Sequence, residues 1–346
     1  MTFHAALNPG AFLQTLATAQ TLTRLGHEPV VIDYMPRRLR PHPYGKVLSL
    51  RSFTPAGYRK AMDRIRLFRA FRSSLARLPI IGPFRRASQV AGQKFDAVVV
   101  GSDVVWNFKS KHFGRDPIYF GHFLNCRRLI SYAASCGVCT PADPMPDYMT
   151  SGLARFHAIS VRDEMTREVV AKACGRDAQV VPDPTFALDP AGLGEKPNIA
   201  DYLLVYAYNP FNPGEVEQIR QFARRRKLKT VAVCYRQDWC DHNCLTISPF
   251  QWLGLIEHAR YAVSGMFHGT IFSIRYGRQV ALSMNRAILS KIEPLMDRLK
   301  LRSRVISAGR PLDCILDEPM DYDTINPQLA VLGAVGEKWI REALNE

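Results

Sequence analysis

The stretch that decides the fold is RYAVSGMFHGTIFSIRYG, residues Arg260–Gly277. A short apolar run is followed by apolar residues at helical spacing, which predicts a strand that leads into a helix. His268 and Thr270 lie where this helix begins, and either side chain is a candidate to cap it. The N–H groups and the dipole of a helix N-terminus favour an anion, and Gly269 would let a ligand approach the backbone. The stretch therefore predicts α/β structure and a phosphate or carboxylate site, with a capping histidine in a packed interface as the alternative.

The second half of the chain repeats this alternation of strand and helix. Compact apolar runs predict strands, and amphipathic runs predict the helices between them. The predicted strands are DYLLVYAY, KTVAVCY, RYAVSG and RQVALSM, and the helices are PGEVEQIRQFARRRKL, SPFQWLGLIEHA and HGTIFSIRYG. This order predicts parallel strands with right-handed crossovers.

The first half of the chain has the same character. GAFLQTLATAQTLTRLG predicts a helix, and HEPVVIDYMP predicts a strand after it. Further apolar runs in FDAVVVG, RRLISYAAS, HAISVRD and AQVVPDP predict four more strands. Continuous apolar runs are typical of parallel strands that are covered on both faces. We predict a doubly wound α/β domain that ends near the Gly- and Pro-rich linker LDPAGLGEKP.

The predicted fold class is α/β, with two Rossmann-like domains facing a cleft. The N-terminal domain spans 1–190 and carries a basic helical insertion at about 50–90, the C-terminal domain spans 198–320, and a C-terminal helix in 321–346 packs back across the domains. A length of 346 residues is enough for two cores. Ligands of such domains bind outside the carboxyl ends of the strands.

The net charge of +15 is concentrated in one segment. Between Arg37 and Arg86 there are fourteen Lys and Arg residues against one acid, so the rest of the chain is nearly neutral. Residues 58–86 predict a basic amphipathic helix that would lie on an anionic membrane surface, or a solvated helix packed on the first domain. A non-catalytic nucleic-acid-binding protein is a further alternative, but the aromatic residues here have helical rather than base-stacking spacing. We expect no nucleic-acid partner.

The sequence also bears on location and metals. No apolar run is long enough to cross a membrane, and MTFHAALNPG has no signal-peptide pattern. We therefore expect a cytoplasmic protein, which would be peripheral at the inner face of the membrane if the basic helix binds lipid.

Two cysteine groups, Cys136 with Cys139 and Cys240 with His242 and Cys244, do not complete a standard zinc spacing. We expect no structural metal.

Further candidates follow two predicted strands of the first domain. Ser102 and Asp103 come after FDAVVVG, and Arg162 comes after HAISV. A guanidinium at a strand end can bind a carboxylate or a phosphate through two N–H groups. The alternative for Arg162 is a surface pair with Asp163 or Glu164, and Asp103 could instead hold the turn after its strand.

Three secondary candidates complete the set of substrate-binding residues. Asn8 and Gly10 open the first predicted helix, where a backbone nest could meet a substrate. Lys291, in ILSKIEPLMDRLKL, could contact a phosphate or be an ordinary exposed lysine.

Six segments together resemble the polysaccharide pyruvyl transferase family. They occur in the family's order and spacing over about residues 8–305: NPGAFLQTLATAQTLTRLGHEPVVIDY, FDAVVVGSDVVWN, LISYAAS, ISVRDEMT, VVPDPTF and YAVSGMFHGTIFSIRYG. The resemblance implies a fold like that of the GT-B glycosyltransferases. It also implies phosphoenolpyruvate as donor, a saccharide acceptor that is lipid-linked or part of a growing glycan, a cyclic pyruvate ketal as product, and no cofactor.

The resemblance also assigns roles to residues. The family's HG histidine falls on His268 and its SVRD arginine falls on Arg162, both associated with donor binding. Two positions depart from the family pattern: Met266 stands where some relatives have an arginine, and Val104 replaces the amide of GSDQ. We assign His268 to proton transfer or phosphate stabilisation, Arg162 to anion binding and Asp103 to a base for the acceptor hydroxyl. A nucleotide-sugar glycosyltransferase with the same fold is the alternative function.

Overall fold

A computed structural model describes residues 1–36, 55–110, 115–284 and 292–345. Its described residues divide into two compact units. The first unit takes residues 1–36, those described within 75–188, and 330–345, and the second takes 55–74 and those described within 189–329. The domain limits predicted from the sequence stay a prediction.

Eleven labelled strands follow the chain. They are β1 Val31–Tyr34, β2 Ile80–Phe84, β3 Phe95–Val100, β4 Cys126–Ala134, β5 Ala158–Val161, β6 Gln179–Val180, β7 Tyr202–Tyr206, β8 Lys229–Val233, β9 His242–Cys244, β10 Tyr261–Ser264 and β11 Gln279–Leu282. In the first unit β1 pairs with β2, and β3-β4-β5-β6 form a second sheet. In the second unit the order is β11-β10-β7-β8-β9, and the pairings in all three sheets are parallel.

The helices occupy the predicted places between the strands. They are α1 Pro9–Arg24, α2 Pro55–Leu75, α3 Ala87–Ala91, α4 Asp147–Leu153, α5 Glu164–Cys174, α6 Pro213–Arg225, α7 Pro249–Glu257, α8 Phe267–Arg275, α9 Leu312–Leu316 and α10 Tyr322–Asn345. Residues 292–296 are also helical, and short 3-10 turns cover Pro117–Phe120, Pro184–Ala187 and Arg302–Arg304. The predicted fold class, α/β with two Rossmann-like domains, is confirmed.

The starts of three long helices follow from local sequence. Asn8, Asn212 and Ser248 each precede a proline, and each accepts hydrogen bonds from first-turn N–H groups of α1, α6 or α7. Proline suits the first helical position because its missing N–H would have no acceptor there, and these side chains satisfy N–H groups that would otherwise be unpaired. These capping residues determine the positions at which α1, α6 and α7 begin.

The extent predicted for the basic helix is wrong. Helix α2 ends at Leu75, and Ile80–Phe84 pairs in parallel with β1 instead of continuing the helix. In the second unit, His242–Cys244 forms the edge strand β9 beside β8.

The core of the first unit continues onto the last helix. Trp339 of α10 stacks on Tyr132 of β4 with ring centroids 6.1 Å apart, and both are buried in one cluster with Ile130 and Val181. This apolar contact holds the second half of α10 in the first unit.

The basic helix α2 buries part of its apolar face. Phe71 is buried, whereas Arg66, Arg69 and Arg72 are exposed.

Among the described residues, no helix is both long enough and apolar enough to span a bilayer. Association of this helix with an anionic membrane surface stays a prediction.

Candidate active site

The polar candidates of the first unit gather at the carboxyl edge of its sheet. Asp103, Ser135 and Arg162 follow β3, β4 and β5. Backbone bonds join their strand ends: Ser135 N–H donates to the Asp103 carbonyl at 3.0 Å, and Arg162 N–H donates to the Ala134 carbonyl at 3.0 Å. The parallel register therefore brings these side chains to the edge where α/β sheets bind ligands.

Arg162 is bound to a buried carboxylate that follows β6. Its Nη1 donates to Asp183 Oδ2 at 3.0 Å, and the side chains are 9% and 1% exposed. Gln14 Nε2 of α1 donates to the same oxygen, while the N–H and hydroxyl of Thr185 donate to Asp183 Oδ1 at 3.0 and 2.7 Å. Four donors thus fix the position of the Asp183 carboxylate. This carboxylate in turn holds one side of the Arg162 guanidinium.

The predicted alternative for Arg162, a surface pair with Asp163 or Glu164, is wrong. Asp163 instead caps α5, accepting from the Thr166 N–H at 2.8 Å, and it also accepts from the Ser135 hydroxyl at 2.7 Å. Because the Asp163 carboxylate accepts hydrogen bonds at the start of α5, the ion pair of Arg162 is made with the buried Asp183 instead.

The electrostatics keep Arg162 cationic. Burial alone would lower the pKa of its guanidinium, but the carboxylates of Asp183, Asp103 and Asp163 raise that pKa above its ordinary value. Its Nη2 is buried and has no hydrogen-bond partner within the described residues. A buried donor of this kind costs free energy unless something binds it, so Nη2 is suited to an anionic ligand.

Two other buried polar atoms of the first unit are without partners among the residues described. They are Gln14 Oε1 and the Ser102 hydroxyl oxygen, and both residues are about 1% exposed. Gln14 contacts the carboxylate that Arg162 contacts, and Ser102 precedes Asp103, whose charge acts on Arg162. The carboxyl edge of the sheet therefore combines a cation, an amide oxygen and a hydroxyl that can bind a polar ligand.

Asp103 and Asn8 both have structural roles. Asp103 adopts a positive φ of 71°, and its Oδ1 accepts from the Val104 N–H at 2.8 Å, which holds the turn after β3. Asn8 Oδ1 accepts from the Gly10 N–H at 2.8 Å and caps α1. The catalytic role of Asp103 and the substrate contacts of Ser102, Asn8 and Gly10 stay predictions.

His268 lies at the switch point of the second sheet. The order β11-β10-β7-β8-β9 reverses between β7 and β10, and ligands of doubly wound folds bind outside the carboxyl ends of the strands at this point. His268 is the second residue of α8, which follows β10, and its half-buried ring lies 5.1 Å from the Phe267 ring. The predicted place of His268 at a helix start after a strand is confirmed.

The predicted capping roles of His268 and Thr270 are wrong. The N-cap of α8 is Met266, which makes no side-chain cap bond. Ser264 instead bonds both backbone groups of Met266, donating to its carbonyl at 2.9 Å and accepting from its N–H at 3.2 Å. Thr270 donates to the Met266 carbonyl at 3.1 Å, and its contact with substrate stays a prediction. The imidazole is therefore not engaged in capping the helix.

Gly269 is required by packing. A Cβ at this position would lie 2.3 Å from Tyr206 Cδ1 and 2.7 Å from Ser264 Oγ, so there is no room for a side chain here. The contact of Gly269 with substrate stays a prediction. The glycine brings α8 against the last residue of β7, and this contact positions the helix that carries His268.

We expect Gly269→Ala to destabilise the protein by about 1–3 kcal/mol, because a methyl group there overpacks a buried site. Chemical unfolding monitored by circular dichroism measures this. Gly309→Ala is the matched control, since a Cβ at Gly309 would meet nothing within 4 Å. Equal stability of the two variants would contradict the packing role.

The structure adds two residues that the sequence reasoning missed. Of the predicted residues, Lys291 lies outside the described ones. Asp183 and Gln14 were missed, although each carried a signal: Asp183 precedes Pro184 in a capping pattern, and Gln14 is a polar residue on the apolar face of α1. Within the described residues, no group of three or more His, Cys, Asp or Glu side chains could hold a metal ion.

Comparison with known families decides the classification. The sequence profile of the polysaccharide pyruvyl transferase family matches residues 8–283. This chain belongs to that family. It is therefore a transferase of the pyruvyltransferase type. None of the curated proteins matches the chain.

Solved structures similar to this pyruvyl transferase family member include sugar-nucleotide enzymes. One is the UDP-GlcNAc 2-epimerase from Methanocaldococcus jannaschii, with 11% identity, 96% of each chain covered and a TM-score of 0.49. Another is the UDP-GlcNAc 2-epimerase from Neisseria meningitidis bound to UDP-GlcNAc, with 10% identity, 96% of each chain covered and a TM-score of 0.45. The E. coli heptosyltransferase WaaC with ADP has 14% identity and a TM-score of 0.40, with 82% of this chain and 87% of that chain covered.

Proposed function

We propose that this enzyme transfers the pyruvyl group of phosphoenolpyruvate to two hydroxyls of a saccharide, forming a cyclic ketal and releasing phosphate, in the biosynthesis of a cell-surface polysaccharide. Family membership supports the reaction type. The observation that carries the proposal is the buried Arg162 guanidinium, with one side fixed by Asp183 and Nη2 unpaired within the described residues. A donor with a carboxylate and a phosphate supplies the anion that such a group binds.

The reaction needs proton transfer and anion binding. A proton is added to the methylene carbon of the enol phosphate, and the first sugar hydroxyl attacks the neighbouring carbon and loses its proton. The bond from that carbon to the phosphate oxygen then breaks, and the second hydroxyl closes the ring. The proton of the second hydroxyl leaves with phosphate, so atoms and charges balance without a cofactor.

The site residues fit these steps in distinct roles. Arg162 holds an anionic group of the donor and remains cationic, because the surrounding carboxylates raise the pKa of its guanidinium. His268 exchanges a proton, either with the methylene carbon or with the departing phosphate. Asp103 is our candidate to accept the proton of the first hydroxyl. Gln14 and Asp183 act through Arg162 as positioning residues.

Incubation with phosphoenolpyruvate and a panel of glycosides tests the proposal. We expect one acceptor to gain the mass of a pyruvyl ketal, with one phosphate released per ketal formed. Parallel reactions with nucleotide sugars test the alternative, a glycosyltransferase of the same fold. Transfer of a sugar without any ketal product would refute the proposed function.

A further inference from the structure

Three tyrosines of the second unit are in ring contact at the carboxyl edge of its sheet. Tyr206 is the last residue of β7, Tyr208 lies just beyond it, and Tyr235 follows β8. The rings of Tyr206 and Tyr235 stack with centroids 5.8 Å apart, and those of Tyr208 and Tyr235 meet at 82° with centroids 5.2 Å apart. Tyr206 is buried, whereas Tyr208 is 68% exposed. The series of rings therefore leads from the core to the solvent.

This series begins beside the helix that carries His268. β10 pairs with β7 up to the last residue of each strand, and α8 follows β10. The ring of Tyr206 packs against Gly269 of α8, the residue after His268. Ligands of doubly wound sheets bind outside the carboxyl ends of the strands near this point. Tyr208 and Tyr235 therefore lie on the ligand side of the sheet, and the ring of Tyr206 connects them to α8.

The loops that carry the two outer tyrosines are joined by hydrogen bonds. The buried Gln237 donates from Nε2 to the Ala207 carbonyl at 3.3 Å, and its Oε1 accepts from Trp239 Nε1 at 3.2 Å. Asn243 of β9 accepts from the Gln237 N–H at 2.8 Å and donates to its carbonyl at 3.1 Å. These bonds hold the loop after β7 against the loop after β8. The backbone that presents Tyr208 is thus fixed, as a binding site requires.

A large exposed aromatic ring at such an edge is suited to a ligand with a flat apolar face. A tyrosine offers a large contact area at a low cost in side-chain entropy, because it has only two side-chain torsions. The face of its ring carries partial negative charge, which disfavours an anion such as phosphoenolpyruvate over the ring. The C–H groups of a pyranose ring carry partial positive charge and are attracted to the same face.

Polar groups that suit the hydroxyls of a sugar are next to these tyrosines in the chain. Asn209 follows Tyr208, Arg236 follows Tyr235, and both Asn209 and Arg236 are exposed. Amide and guanidinium groups donate hydrogen bonds to hydroxyl oxygens. Small-molecule sites combine aromatic surface with a few polar groups in this way. The chemistry of this edge therefore fits a saccharide.

We propose that Tyr208, supported by Tyr235, is an aromatic platform on which a pyranose ring of the saccharide acceptor stacks while the reaction takes place beside His268. The inference rests on the proposed function, because it places the acceptor of that reaction. Tyr208 is then a substrate-binding residue that selects the acceptor. It takes no part in proton transfer or in the binding of phosphoenolpyruvate.

Saturation-transfer NMR on the full chain tests the platform without the reaction. The probes are the methyl pyranosides of glucose, galactose and mannose. Irradiation of the aromatic protons of the protein should transfer saturation to the ring protons of at least one pyranoside. We expect Tyr208→Phe, which keeps the ring, to retain this transfer, and Tyr208→Ala to reduce it by about three- to tenfold. A thermal melt checks that both variants are folded.

The matched control for the NMR experiment is Tyr58→Ala, measured without lipid. Tyr58 belongs to α2 of the same unit and is 63% exposed, so its loss removes a similar area of aromatic surface. We expect this variant to show the same saturation transfer as the wild type. A decrease as large as that of Tyr208→Ala would mean that the transfer reports unspecific contact with exposed rings, and it would refute the platform.

Kinetics test the same contact with the acceptor that the ketal assay identifies. Tyr208→Ala should raise KM for that acceptor by about three- to tenfold and leave KM for phosphoenolpyruvate unchanged. Tyr208→Phe should keep KM for the acceptor close to the wild-type value. An equal rise in both KM values would show that Tyr208 supports the site as a whole and does not bind the sugar.

Two further NMR results would overturn the inference. Absence of transfer to every pyranoside, or equal transfer in the wild type and Tyr208→Ala, would show that this ring binds no sugar. Stronger transfer to uridine and adenosine than to the pyranosides, lost in Tyr208→Ala, would identify a nucleobase platform instead. Ketal formation that is unaffected by Tyr208→Ala would refute this inference alone. Pyranoside binding at Tyr208 without any ketal product would refute the proposed function alone.

Discussion

His268→Ala lowers the rate of phosphate release from phosphoenolpyruvate by about 10²–10⁴-fold, the range expected when a general acid or base is removed. The imidazole is half-buried at the start of α8, at the switch point of its sheet, and it does not cap the helix. We therefore expect Tm to change little. Phosphate release under saturating donor and acceptor measures the rate, and a thermal melt measures Tm.

Two further variants separate proton transfer from binding. His268→Gln keeps hydrogen bonding but cannot exchange protons at neutral pH, so we expect a loss of kcat with a smaller change in KM for phosphoenolpyruvate. His242→Ala is the matched control, because His242 is an exposed histidine of the same unit. Wild-type turnover of His268→Ala would remove His268 from the site.

The alternation of strands and helices was predictable from the sequence because the local signals agreed. Apolar runs such as FDAVVVG and DYLLVYAY form β3 and β7, and the helix starts at Asn8, Asn212 and Ser248 carry both a capping side chain and a proline. Local propensity, apolar pattern and capping point to the same structure at these positions. The helices and strands that they predict are confirmed.

Strand β2 could not be predicted, since its local signals conflict with its structure. Ile80–Phe84 contains a glycine and a proline, a pattern that disfavours a strand. The strand forms because β1 offers it a parallel edge, with Val31 opposite Ile80 and Tyr34 opposite Phe84. Tertiary pairing overrides local propensity here.

The candidate site was predictable only as separate pieces. Arg162 was found from its place after a strand, but its partner Asp183 lies 21 positions away, and Gln14 lies 169 positions from Asp183. No periodicity relates such positions, since the parallel sheet and the packing of α1 bring them together. The convergence of His268 and Arg162 on one donor stays a prediction.

Asp183→Ala destabilises the protein by about 3–5 kcal/mol, because it leaves the Arg162 charge buried without its partner. It also removes the acceptor for Gln14 and Thr185. Urea unfolding measures the loss. The control is Asp177→Ala, whose carboxylate bonds the exposed Arg167 at 2.9 Å and should contribute less than about 1 kcal/mol. Similar losses for both variants would contradict the buried pair.

Replacing both partners separates the structural role of Arg162 from its catalytic role. Arg162→Ala alone cannot do so, because the burial of Arg162 against Asp183 predicts a loss of stability together with the loss of activity. In the double variant Arg162→Met with Asp183→Leu no charge of the pair is left buried, so we expect it to recover most of the stability that either single alanine variant loses. Phosphate release should stay at background, because the cation that we propose for donor binding is gone. A stable double variant that releases phosphate at the wild-type rate would show that Arg162 only supports the fold.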